Sequence, residues 1–315
     1  MWTCRILTCG TSTILVFDKN GVKMQTILKG KSKQITITTD APVTIIGESI
    51  NPTRRKKLTT SLLSQDFAYV FELAKSQIET GADVLDINVG APGVDEVALL
   101  PKVAAAVAER FDVPLCLDSS NRQALAAALA VLPGKPLVNS VNGEEATLNA
   151  LLPIIKEYGA AVIGLTMDEN GIPTDPEVRL AIAEKILERA AKLGIPTENV
   201  VIDPLVLTVG ADQKAGRVTL TTIEMVRKAF GVNINLGASN VSFGLPDRHT
   251  VNQAFIALAA GAGASCVITN PEKLTATIRA SDLLLGRDNF AGRYITNYRS
   301  MVKLGLIEDA KPGKS

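Results

Sequence analysis

Carboxylates and carboxamides recur along this chain at the ends of short β-branched runs: Glu48 and Asn51, Asp86 and Asn88, Asp118, Asn139 and Asn142, Thr166 and Asp168, Asp203, Asn240 and Asn270. No lysine, arginine or histidine shares those run ends. A carboxylate accepts two hydrogen bonds in parallel, and a primary amide both donates and accepts. Such groups converging on one place suit a ligand with a donor-rich edge. A 2-amino-4-oxo pyrimidine ring, as in a pterin, offers adjacent N–H and NH2 groups that fork onto one aspartate and leaves further sites for asparagine. A divalent metal held by Asp and Glu oxygens, or a sugar, meets the same inventory, so all three readings stand on these residues alone.

Positioning those residues requires elements that bring all the run ends to one face. The runs cover 43–48, 84–89, 114–118, 136–140, 161–167, 200–205, 234–240 and 265–269, and helical stretches such as 66–80, 94–110, 122–132, 144–158, 176–193 and 251–260 lie between them. Glycines such as Gly159 and Gly231 fall at or just past helix ends, where a left-handed cap is needed. Eight βα units in about 240 residues predict an α/β fold of the (β/α)8 TIM-barrel type, because no GxGxxG follows any run to suggest a doubly wound sheet. In a parallel barrel the carboxyl ends of the strands carry the active site, which is where the acids and amides lie. The barrel is expected over 41–290. Before it, 1–40 reads as a small β appendage, with runs at 12–17 and 22–28 flanking Asp18-Lys-Asn-Gly21 and an alternating stretch at 34–39; after it, 291–315 reads as a C-terminal tail.

Composition removes several functions. With 33 basic and 32 acidic residues among 315, the net charge of +1 gives no field to gather nucleic acid or an anionic membrane. The 46% apolar content supports a large core. Cys4, Cys9, Cys116 and Cys266 form no CxxC pair, and His249 is the single histidine, which argues against disulfides and a Cys/His zinc site. No bound metal is expected. The charge-free window 250–271 is broken by Asn252, Gln253, Asn270 and Gly261-Ala-Gly263, so it reads as helix, turn and strand, not as a membrane span. A cytoplasmic enzyme is the expectation. Gly30-Lys-Ser32 and Gly313-Lys-Ser315 end like phosphate loops, but the required first glycine would fall at Gln25 and Glu308.

Several motifs occur in the order found in the pterin-binding barrel family: Gly47-Glu-Ser-Ile-Asn51-Pro, Leu85-Asp-Ile-Asn-Val-Gly90, Cys116-Leu-Asp-Ser119, Val138-Asn-Ser140, Ile202-Asp-Pro-Leu205 and Leu236-Gly-Ala-Ser-Asn-Val-Ser242. The chain most resembles the methyltetrahydrofolate:corrinoid protein methyltransferases, over residues 41–285. The resemblance implies that Asp203 receives N3 and the 2-amino group of the pterin, that Asn139 and Asp118 complete that edge, and that Asn240 faces N5. It also implies that Glu48, Asn51, Asp86 and Asn88 lie near the ring; for Glu48 and Asp86 a rim network holding the loops is the alternative. It implies tetrahydrofolate or 5-methyltetrahydrofolate as substrate, a corrinoid (cobalamin) carried by a separate corrinoid protein, and a homodimer.

Chemistry constrains the roles within that resemblance. A methyl group on a tertiary N5 leaves only to an exceptionally strong nucleophile, which a Co(I) corrinoid supplies and no side chain does, and N5 must gain a proton or strong hydrogen bond as the bond breaks. A carboxamide does not titrate near neutrality, so Asn240 is expected to stabilise N5 electrostatically, with the proton coming from solvent through water held at Asp203. Arg248 is expected to bind the acidic tail of the folate or the partner protein, and Arg54-Arg-Lys-Lys57 reads as a solvated loop or as a surface for the same anions. Asp247-Arg-His249 approaches a corrinoid-binding Asp-x-His-x-x-Gly loop but continues to Asn252, so His249 is expected to be a surface residue leading a helix. Dihydropteroate synthase resembles the chain too, but carries a lysine at the position of Asn240, and this sequence has no basic residue near the ends of its sixth and seventh strands. A non-catalytic pterin-binding scaffold is the remaining alternative.

Overall fold

The computed structural model describes residues 24–309 and the backbone of two N-terminal strands, β1 (Arg5–Cys9) and β2 (Ser12–Val16), which pair antiparallel. The Asp18-Lys-Asn-Gly21 turn lies outside the described residues. A hairpin of β3 (Gln25–Lys29) and β4 (Gln34–Thr38) follows. The chain then alternates β5 (Thr44–Ile50), α1 (Lys56–Ser64), α2 (Ala68–Glu79), β6 (Val84–Ile87), α3 (Glu96–Arg110), β7 (Leu115–Asp118), α4 (Arg122–Val131), β8 (Leu137–Asn142), α5 (Glu145–Tyr158), β9 (Ala161–Leu165), α6 (Pro176–Lys192), β10 (Val200–Asp203), α7 (Ala215–Phe230), α8 (Arg248–Ala262), β11 (Cys266–Thr269), α9 (Pro271–Leu284) and α10 (Gly292–Lys303).

Local sequence explains these boundaries. Strands β6 and β10 are buried along their whole length, because one face meets the barrel interior and the other the helices. Asp95, Asn121 and Asp175 cap α3, α4 and α6 with side-chain oxygens that accept from first-turn N–H groups. Gly159 and Gly231 adopt the left-handed conformation that ends α5 and α7. Among the described residues no helix is long and apolar enough to cross a membrane; the charge-free window is α8, a turn at Gly263, and β11.

Seven parallel strands lie in the order β10-β9-β8-β7-β6-β5-β11. The eighth position is filled by residues 232–237: Ile234 stands opposite Ile202 and Gly237 opposite Ile268. Asn235 N donates to Ile202 O at 2.9 Å on one side, and Ile268 N donates to Leu236 O at 2.9 Å on the other, so the sheet closes. The fold is the (β/α)8 barrel that the sequence predicts. Most strand bounds shift by one or two residues, and the end of the seventh differs in kind. The seventh run was expected to extend to 240, but residues 238–242 form a 3-10 turn in which Asn240 N returns to Gly237 O and Phe243 N to Asn240 O, spending within the turn the groups a strand would offer its neighbours.

The amino end of the barrel is plugged. Leu28 and Ile37 of the β3–β4 hairpin join Ile46, Val84, Cys116, Leu137, Ala161, Ile163, Val201 and Cys266 in one interior cluster. Backbone bonds between Lys29 and Lys135 run in both directions at 2.9 and 3.0 Å, and Thr26 Oγ1 donates to Glu198 O at 2.6 Å. The approach at Gly134 is too close for any side chain, since a Cβ there would lie 2.4 Å from Lys29 O. The Gly30-Lys-Ser32 turn is held by Asp112, whose carboxylate accepts from Ser32 N and Lys33 N. This end therefore has a structural seal, and the opposite end is left for a ligand.

Candidate active site

At the carboxyl end the strand ends deliver two hydrogen-bonded groups. In the first, Asn88 Nδ2 donates to Asp118 Oδ2 at 2.9 Å while Asn88 Oδ1 accepts from Gly90 N at 2.8 Å, and Asn139 Nδ2 reaches Asp86 Oδ1 at 3.5 Å. Residues on or just past β6, β7 and β8 are thus brought together. Burial pushes the Asp86 carboxyl well above the usual carboxylate range, the Asp118 charge adds to this, and bonds from Cys116 and Asn139 oppose it. Asp118 is raised too, first by burial, with Asn88 pulling it back. Burial is thus the first cause of the upward shift in both acids.

The second group centres on Asp203, the last residue of β10 and 5% exposed. Its Oδ1 accepts from Leu205 N at 2.8 Å and its Oδ2 from Asn235 Nδ2 at 2.7 Å. Burial raises its pKa to about 6, with Leu205, Asn235 and the charge of Arg179 opposing. Arg179 is fully buried, with Nη1 on Pro204 O and Leu205 O and Nε on Pro173 O, while its buried Nη2 has no hydrogen-bond partner among the described residues, so it lends charge without closing on the carboxylate. Leu205 sits in the left-handed region at φ 59°, a conformation unfavourable for a branched residue, and its carbonyl is pinned by Arg179 and by Thr219 Oγ1. Each carboxylate oxygen of Asp203 keeps a second lone pair, so the group can still accept a forked pair of donors.

The remaining predicted residues are placed as follows. Glu48, on β5, is raised by burial and lowered by Arg55 and Arg248. Asn51 turns inward on its own loop, accepting from Thr53 N at 3.0 Å, and joins neither group. Asn240 is exposed on the 238–242 turn, and its carboxamide has no protein hydrogen-bond partner among the described residues. Arg248 braces that turn: Nε donates to Ser242 Oγ at 3.1 Å and Nη2 to Ser239 O at 2.7 Å. This corrects the expectation of no basic residue at the seventh strand end, since Arg248 folds back there from the first turn of α8. His249 is exposed at the start of α8, as expected.

Sequence reasoning passed over Asn235 and Arg179. The signal for Asn235 was the Asn233-Ile-Asn235-Leu alternation, which puts two amides on one face of an otherwise apolar strand. Cys266 Sγ lies 3.6 Å from Asn235 Oδ1, which favours the amide orientation that directs Nδ2 at Asp203. Its thiol, raised by burial and by the Asp203 charge, is no nucleophile.

Residues 47–270 match the family of pterin binding enzymes. The chain belongs to the pterin-binding enzyme family. A methylcorrinoid:tetrahydrofolate methyltransferase of Eubacterium limosum is 30% identical over 272 residues, covering 84% of this chain and 98% of that protein. Methionine synthase of Mycobacterium tuberculosis is 31% identical over 253 residues, 76% of this chain, which spans only 21% of that longer protein. Within the pterin-binding family the chain is thus a methyltransferase of the methyltetrahydrofolate:corrinoid protein group. Dihydropteroate synthase of Yersinia pestis superposes with a TM-score of 0.64 over 83% of this chain and 99% of that one, at 18% identity, a likeness of fold alone.

Proposed function

We propose that this pterin-binding methyltransferase moves the N5-methyl group between methyltetrahydrofolate and the Co(I) corrinoid of a separate corrinoid protein. The observation that carries the reading is Asp203: a carboxylate buried at a strand end, raised to about 6, with no cation bonded to it among the described residues, is matched by an edge bearing two N–H donors. In this reading Asp203 binds N3 and the 2-amino group, Asn139 and Asp118 take the rest of that edge, and Glu48, Asn51, Asp86 and Asn88 border the ring. The corrinoid supplies the metal nucleophile or methyl donor. Asn240, with a carboxamide unengaged by the described residues, holds N5 by hydrogen bonding as its bond to carbon breaks. The nitrogen keeps the bonding electron pair and takes a proton, delivered from solvent through water at Asp203. Residues 41–290 carry this chemistry, and the enzyme acts as a cytoplasmic homodimer. The condensing chemistry of dihydropteroate synthase is disfavoured by Asn240 standing where that enzyme has lysine.

Mixing the enzyme and methyltetrahydrofolate with Co(I) cobalamin under reducing conditions tests the reading. The Co(I) absorbance is expected to decay into that of methylated cobalt only when enzyme and folate are both present. A spectrum that stays Co(I) contradicts the proposal.

A further inference from the structure

Four consecutive cations, Arg54-Arg-Lys-Lys57, follow Asn51, and the structure divides them. Lys57 is engaged elsewhere, 3.5 Å from Glu72 and 3.8 Å from the centre of the Tyr69 ring. Arg54 instead crosses the mouth: its guanidinium carbon lies 5.3 Å from the centre of the Phe243 ring, and that of Arg248 lies 5.4 Å from the same ring. Phe243 is 49% exposed, its backbone is tied to Thr208 Oγ1 through its carbonyl at 2.6 Å, and its ring bridges the loop after β5 and the turn before α8. Beside it Arg54, Arg55 and Lys56 line a cleft of about 700 Å³ with Thr59, Gly90 and Pro92. Among the described residues no carboxylate lies within 4 Å of the Arg54, Arg55, Lys56 or Arg248 cation. In a molecule of net charge +1 this cluster is local.

We infer that Arg54, Arg55 and Lys56, with Arg248 across the Phe243 bridge, form a subsite for the carboxylates of a γ-linked glutamate chain, so that the substrate is a folate bearing several glutamates. The inference rests on the pterin orientation proposed above. In the pterin ring N5 adjoins C6, the carbon that carries the p-aminobenzoyl-glutamate tail. A ring with N5 at Asn240 therefore sends its tail outward past residue 243, three positions along the chain. Each glutamate added to that tail brings one carboxylate, and guanidinium groups pair with carboxylates through parallel hydrogen bonds. Because these cations are exposed, the gain for each pair is modest and screened by salt.

Calorimetry of the whole protein with methyltetrahydrofolate carrying one or three glutamates reads this directly. The triglutamate is expected to bind about three- to tenfold tighter at low salt, with the preference fading at about 0.5 M salt. In an Arg54→Gln, Lys56→Gln double variant the two forms should bind alike, with the thermal midpoint of the folded protein as in the wild type. Equal affinities in the wild type, or a preference that survives in the double variant, overturn the tail site. So does a variant that slows only turnover with a corrinoid protein, independent of glutamate number, since the cations would then serve protein docking. Absence of binding by either folate would overturn the underlying pterin reading as well.

Discussion

Asn233 and Asn235 stand two residues apart on the segment that closes the barrel, both fully buried, and they serve opposite ends of it. Asn233 Nδ2 donates to Thr26 Oγ1 at 2.9 Å and to Ile37 O at 3.0 Å, fastening the hairpin that seals the amino end. Asn235 Nδ2 donates to Asp203 at the carboxyl end. At the sealed end a buried amide meets neutral partners, and Leu28 and Ile37 fill the space around it. At the open end an amide of the same kind meets an acid that burial has made hard to ionise. At the sealed end the donors of the amide are spent on the hairpin and its oxygen, though unpartnered among the described residues, is enclosed by the plug. At the open end Asp203 keeps lone pairs that a ligand entering the mouth can reach.

Breaking the seal should affect stability alone. Leu28→Ala opens a cavity in the plug and is expected to cost about 2–5 kcal/mol, read as a lower denaturant midpoint, with folate affinity of the folded protein unchanged. Breaking the mouth should affect chemistry alone. Asn240→Ala is expected to slow methyl transfer to Co(I) cobalamin about 100-fold in single turnovers while shifting the folate Kd much less; equal losses in both would deny it a role in the transition state.

The asparagine pair sharpens the contrast further. Asn233→Ala should lower stability by about 1–3 kcal/mol without altering binding. Asn235→Ala should weaken folate binding about tenfold, because Asp203 then loses a charge-assisted donor. Removing that donor also raises the Asp203 pKa further, so the pH midpoint of binding should move upward from about 6. A pH profile unmoved in Asn235→Ala would mean that the amide merely fills space.

Much of this architecture is legible in the chain. The strands that carry Glu48, Asp86, Asp118, Asn139 and Asp203 are short β-branched runs punctuated by polar residues, so period and punctuation locate them to within a few positions. In the sequence nothing marks the end of the seventh strand, because Ser239, Asn240 and Val241 continue a strand-like composition, and only the hydrogen bonds of the turn reveal it. Asn235 was hidden because its value depends on Asp203, 32 positions away, and Arg248 because its return to Ser239 requires the geometry of the α8 cap. The Arg54–Phe243 contact joins loops at opposite ends of the barrel sequence, and no local pattern announces it. Short-range chemistry could be read directly; partnerships made by closure of the barrel could not.

The central claim is that Asp203 grips the pterin as a carboxylate. Calorimetric titration of methyltetrahydrofolate into the wild type and Asp203→Ala, from about pH 5 to 8, tests it. Unliganded Asp203 is protonated below about 6 and the donors of the pterin favour its ionised form. Wild-type affinity should therefore rise about tenfold per pH unit below that point and level off above it. Asp203→Ala should bind about 100-fold more weakly near neutrality, with that pH dependence gone. Wild-type affinity in Asp203→Ala, with the same pH profile, would contradict the account.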